Sequence, residues 1–165
     1  MRHELSRPVV LARVPSVGRD LVVEAKPEEC VALAARLGIE QVGRLRATLR
    51  LKPDRRGRIE VTGRLEAAVV QLCVVSLEPV AQEIDVPVAL RLLPPEQAAS
   101  DSPEDAFDDI EAPHGEADLG EALAEELALA LDPYPRHPDA ELPPEAQTPD
   151  SGAFGALSQL RPPKN

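Results

Sequence analysis

Arg44-Leu-Arg-Ala-Thr-Leu-Arg-Leu-Lys52, Pro53-Asp-Arg-Arg-Gly57 and Arg58-Ile-Glu-Val-Thr-Gly-Arg-Leu-Glu-Ala67 are the consecutive segments on which the fold turns. In the first, Arg44, Arg46, Thr48, Arg50 and Lys52 alternate with Leu45, Ala47, Leu49 and Leu51. Side chains on a strand point alternately to its two faces, so this period of two makes one face apolar and the other basic. The middle segment is rich in turn-forming residues. The third returns with Ile59, Val61, Gly63 and Leu65 on the apolar side and Arg58, Glu60, Thr62, Arg64 and Glu66 on the other. An antiparallel hairpin over 44–67 follows. A turn centred on Arg55 places Arg50 opposite Glu60 and Arg44 opposite Glu66, and leaves Arg46 facing Arg64.

Upstream, Pro8–Val14 and Asp20–Ala25 read as short strands. Lys26-Pro27-Glu28-Glu29 opens a helix, with proline at the first position and carboxylates at the positive end of the helix dipole. Cys30, Leu33, Ala34 and Leu37 form its apolar face, and Gly38 ends it. Downstream, Val69–Leu77 continues as an apolar strand and Glu78-Pro79 turns it. Ile84, Val86, Val88, Leu90 and Leu92 alternate through a last strand, where Pro87 demands an edge or a bulge. Residues 95–116 are acidic and read as a solvated, disordered loop. Asp118-Leu119-Gly120-Glu121 has the pattern of a capping box, opening a helix with Leu119, Leu123, Leu127 and Ala130 or Leu131 on one face. Asp132-Pro133-Tyr134-Pro135 ends that helix. The predicted class is α+β: a mostly antiparallel, curled sheet approaching a half-barrel, with two helices. One domain spans 1–138, and 139–165 is a disordered tail with a short helix over 153–160.

The 165 residues hold two Phe and one Tyr, all after residue 100, so the first hundred must close around Val, Leu, Ile and Ala. The net charge of −11 is divided unevenly. Residues 1–93 carry 15 Lys/Arg against 12 Asp/Glu, while 94–165 carry 3 against 17. The acidic total opposes indiscriminate binding to nucleic acid. No apolar run is long enough to cross a membrane, and the first residues lack a secretory pattern, which implies a cytoplasmic protein.

Catalytic motifs are absent: there is no G-x-S-x-G, no glycine-rich phosphate loop and no H-x-x-x-H. His3, His114 and His137 stand apart, in contexts that suit solvation or capping. Cys30 and Cys73 lie in apolar patterns with no companion ligands, so they read as reduced core thiols with no metal, cofactor or disulfide. The nucleic-acid candidate is the hairpin, whose Arg44, Arg46, Arg50, Lys52, Arg55, Arg56, Arg58 and Arg64 outnumber Asp54 and Glu60. Such a stripe neutralises phosphates, although no aromatic platform for base stacking accompanies it. The competing reading is a solvated sheet decorated with cross-strand pairs. The acidic segments read as solubilising, or as a mimic of RNA that holds a basic protein.

Two blocks resemble the YceD-like family. Cys73-Val74-Val75-Ser76-Leu77-Glu78-Pro79 is similar to that family's C-x-x-C-L-E-P stretch, with Ser76 in place of a second cysteine. Asp118, Leu119 and Glu121, followed by Glu126, Leu127, Leu131, Pro133, Tyr134 and Pro135, resemble its acidic helix and proline-broken end. Some members have a later cysteine-rich stretch, which Asp132–Ala140 replaces here. Phe154, Leu157 and Leu160 resemble a short C-terminal motif, a candidate for docking a partner. The resemblance implies a non-enzymatic ribosome-biogenesis factor supporting accumulation of large-subunit (23S) ribosomal RNA. Its expected partners are ribosomal RNA or a large-subunit assembly intermediate, and a basic large-subunit ribosomal protein. Neither a membrane nor a small-molecule substrate is expected. The alternatives are an rRNA-processing or modification enzyme, or an adaptor that recruits one.

Overall fold

The hairpin forms over β3 (Gln41–Pro53) and β4 (Ile59–Leu72), and it organises the molecule. In this computed structural model the described residues are 4–95, 97 and 107–141. The expectations for the acidic stretch 98–106 and for the tail beyond 141, with Phe154, Leu157 and Leu160, lie outside them. The chain runs β1 (Pro8–Val10), a 3-10 turn (Leu11–Arg13), β2 (Arg19–Glu24), α1 (Pro27–Leu37), β3, β4, β5 (Pro79–Leu93), β6 (Asp108–Glu111), β7 (Glu116–Asp118) and α2 (Leu119–Ala130). Five strands form an open sheet in the order β2-β3-β4-β5-β6, while β1 and β7 make a separate two-stranded sheet. The class is α+β as expected. The sheet is mostly antiparallel, but β6 joins β5 in parallel.

The period of two dictated the core face correctly. Leu45, Ala47, Leu49, Leu51, Ile59, Val61 and Leu65 are all buried. Opposite them α1 contributes Cys30, Leu33 and Ala34, and α2 contributes Leu119, Leu123 and Leu127. At about 1.5–3 kcal/mol per buried aliphatic side chain, these leucines dominate what holds the layers together.

Several boundaries and one register differ from expectation. The hairpin is shifted by two residues: Lys52 faces Glu60, Arg50 faces Thr62, Thr48 faces Arg64 and Arg46 faces Glu66. The cause is the turn. Asp54 N–H donates to the Arg58 carbonyl, and Gly57 takes φ 78°, closing a three-residue loop around Arg56 rather than Arg55. Such a loop is a type I turn followed by a left-handed residue, which glycine adopts without penalty. The Asp54 carboxylate braces it, accepting from the backbone of Arg56 and Arg58.

The first strand stops at Val10 instead of Val14, and β4 stops at Leu72, with Cys73–Leu77 forming a turn rather than more strand. Among the described residues Pro87 sits where β5 is paired on one side, since β6 reaches only Leu90–Leu93. The acidic stretch 95–116 is not wholly a loop, because it contains β6 and the start of β7. What orders β6 is Arg91, whose Nε donates to Asp109 at 2.6 Å with both side chains buried, and whose guanidinium lies 5.8 Å from the Phe107 ring centroid.

Candidate functional site

The outward face of the hairpin is the first site to weigh. Its arginines are met by carboxylates from the flanking strands. Arg46 pairs with Glu24 and Arg50 with Asp20, both from β2. Arg44 pairs with Glu83 and Arg64 with Asp85, both from β5. The pairs Arg50–Glu60 and Arg44–Glu66, expected from the sequence, do not form, because the register places Thr62 opposite Arg50 and Ala68 opposite Arg44. Across β2–β5 the outward side chains Arg44, Arg46, Arg50, Lys52 and Arg64 stand among Asp20, Glu24, Glu60, Glu66, Glu83 and Asp85. The middle of this face is therefore charge-balanced rather than basic. Arg58, at the turn, is held by Asp54 at 2.6 Å. That leaves Lys52, Arg55 and Arg56, exposed at the hairpin tip, in none of the ion pairs found among the described residues.

The Asp118–Glu121 block is a clasp. Asp118 caps α2 by accepting from Gly120 N–H at 2.9 Å, and the same carboxylate accepts from Ser6 Oγ and Arg7 N–H at 2.6 Å each. Arg7 in turn makes two 2.8 Å bonds to Glu29 of α1. The Arg7 guanidinium, with the Lys26 backbone N–H, holds the Glu29 carboxyl down at about 2 despite its partial burial. Glu121, expected to complete a capping box, instead grips Arg36 of α1 through both oxygens. Gly120 is demanded by proximity: a Cβ there would lie 2.5 Å from the Leu5 carbonyl oxygen. Further along α2, Leu127 is fully buried, Leu131 is half-buried, and burial pushes the Glu126 carboxyl up.

The Cys73–Pro79 block is a hydrogen-bonded knuckle. Cys73 N–H donates to the Glu78 carbonyl, Leu77 N–H donates to Cys73 and Val74 N–H donates to Pro135. The buried Cys73 Sγ accepts from Ser76 N–H at 3.3 Å and Val75 N–H at 3.4 Å. The His137 backbone N–H, then the Ser76 hydroxyl and these amides, bring its thiol down to about 6. Burial instead raises the Cys30 thiol. Gln71 ties β4 to the same segment through Nε2 and the Asp132 carbonyl, while its buried Oε1 meets no donor among the described residues. Leu77 is the exception in this knuckle. It occupies the left-handed region at φ 61°, costing a branched side chain about 1–2 kcal/mol, yet its side chain is 71 % exposed. Pro135 is buried against the knuckle, whereas Pro133 and Tyr134 face solvent.

The structure thus distributes the described sequence-predicted residues over the hairpin face and its tip, the clasp helix and the knuckle. Leu77 was singled out with its block, but its exposure was missed, because Val69–Leu77 reads as one apolar strand. Its signal in sequence is weak, since only the turn forced by Glu78-Pro79 hints that Leu77 leaves the strand. No cluster of three or more His, Cys, Asp or Glu side chains suited to a metal occurs among the described residues. No described helix is long and apolar enough to cross a membrane.

A family model described as large ribosomal RNA subunit accumulation protein YceD matches residues 61–157, more than half of the chain. The match takes in both the knuckle and the clasp helix, and it begins beyond the hairpin tip. No curated protein and no solved structure matches the chain.

Proposed function

The chain belongs to the YceD family, and on that premise we propose that it is a non-enzymatic cytoplasmic factor supporting accumulation of 23S ribosomal RNA by binding RNA or a large-subunit assembly intermediate. The observation that carries this reading is the family match over 61–157. The geometry supports it in two ways. The lowered Cys73 thiol is fully buried in the knuckle rather than open to a substrate, which favours binding over processing chemistry. Lys52, Arg55 and Arg56 also stand exposed at the hairpin tip, in none of the ion pairs found among the described residues, so their charges are open to phosphates.

The test is made in cells lacking the chain and complemented with wild type or with the Lys52→Ala, Arg55→Ala, Arg56→Ala triple variant. Loss of the chain should lower 23S relative to 16S ribosomal RNA, and the triple variant should restore the ratio only in part. A 23S-to-16S ratio indifferent to the chain would remove the reading altogether. A normal ratio with the variant would remove the tip alone.

A further inference from the structure

The knuckle end of the sheet presents apolar side chains that stay exposed among the described residues. Leu72, Val74 and Leu77 are 40 %, 49 % and 71 % exposed, and Tyr134 is 71 % exposed. They belong to one hydrogen-bonded unit, because Val74 N–H donates to the carbonyl of Pro135, the residue after Tyr134, and Gln71 bonds the Asp132 carbonyl. Leu77 is the decisive member. A leucine in the left-handed region is strained where glycine or asparagine would be comfortable, and burial in its own chain does not compensate it. Strain kept in order to hold a large apolar side chain in water makes sense when something else covers that side chain.

Charge identifies the occupant. Arg136 is the one arginine or lysine over 132–141, Glu78 adjoins Leu77 and Asp132 adjoins the Pro133–Tyr134 pair, and Glu78 and Asp139 lie 3.9 and 3.8 Å from His137 Nδ1. Their carboxylates are open to solvent, that of Asp139 being 91 % exposed and that of Glu78 61 %. A second copy would bring the same carboxylates against each other, on a chain of net charge −11. RNA would meet the same repulsion. We infer that this surface docks a basic polypeptide segment, in which apolar side chains seat on Leu77, Val74 and Tyr134 while flanking Lys or Arg meet the acidic rim. The partner surface is separate from the hairpin tip and stands whether or not the tip binds RNA.

The experiment uses the full chain. A library of twelve-residue peptides, with randomised apolar centres flanked by Lys or Arg, is selected against it, and winners are measured by fluorescence anisotropy. Amide shifts should change at Leu72–Glu78 and Asp132–His137. Leu77→Gly relieves the strained backbone, so it should melt no lower than wild type while binding at least tenfold more weakly, and Tyr134→Ser should weaken binding as well. Several results would overturn the inference: no peptide bound by wild type, winners indifferent to both variants, or equal binding of an oligolysine without apolar residues. It would also fail if self-association were abolished by Leu77→Gly, or if an RNA oligonucleotide or a peptide of residues 150–165 claimed the same amides.

Discussion

A buried sulfur ringed by N–H donors is the sharpest chemical feature at the scale of single residues. Hydrogen bonds to a charged form favour it, and Cys73 has three backbone amides and a hydroxyl arranged in this way. Its thiol falls from 9.0 to about 6, so the stabilisation is complete above pH 9 and is lost as pH falls through about 6. Ultraviolet thiolate absorbance should therefore rise in two separate steps, Cys73 near pH 6 and Cys30 above the ordinary thiol range. A single step at high pH would show that the knuckle does not hold the charge. Glu29 follows the same sign: its carboxyl is lowered from 4.5 to about 2, so the contribution of Arg7–Glu29 is present above 4.5 and lost as pH falls towards 2. Glu29→Gln should cost about 1–3 kcal/mol at neutral pH, by urea denaturation, and the gap should narrow in acid. Neither feature was legible in the sequence. Cys73 read as one more apolar position, because its donors come from residues 75, 76 and 137, and the last of these is brought near only by the fold. Arg7 and Glu29 lie on different elements, and nothing local announces their meeting.

Elements were more legible, in proportion to how local their signals are. Period-two alternation predicted the core face of β3 and β4 residue by residue, and proline with two glutamates marked the start of α1. Leu49 sits fully inside, so Leu49→Asp buries an unpaired charge and should leave the chain unfolded by circular dichroism. The two-residue shift of the hairpin escaped because it depends on Gly57 adopting the left-handed conformation, a choice between turn types that alternation cannot settle. β6 escaped for a different reason. Its composition is that of a solvated loop, and what favours a strand there, the buried Arg91–Asp109 pair and Ile110 packed against the core, comes from contacts the local sequence does not announce. Clasping the chain's first described residues against α2 also leaves a testable mark. Gly120→Ala places a methyl group against the Leu5 carbonyl, so it should cost about 1–3 kcal/mol in spite of alanine's better helix propensity. A variant as stable as wild type would mean that the segment does not lie against α2 as described.

For the whole molecule, the question is where net charge leaves free cations. The sequence showed a basic hairpin in an acidic chain, but which carboxylates neutralise it depends on strand order. That order sets β2 and β5 on either side, and their acids cancel the middle of the face. Binding RNA through such a face competes with four cross-strand ion pairs, whereas Lys52, which stands opposite Glu60, and Arg55 and Arg56 are in none of the ion pairs found among the described residues. Two variants separate these cases. Replacing the tip cations together should weaken binding to a 23S ribosomal RNA transcript and reduce the slope of log affinity against log salt by about 0.7–0.9 for each phosphate no longer neutralised. Replacing Arg46, Arg50 and Arg64 should leave that slope nearly unchanged, with stability altered by no more than about 1 kcal/mol per exposed pair. The charge-balanced face predicts this order of effects, and filter binding over a salt series measures it. If the sheet variant flattened the slope and the tip variant did not, the phosphates would lie across the sheet, and the carboxylates of β2 and β5 would have to swing away to admit them.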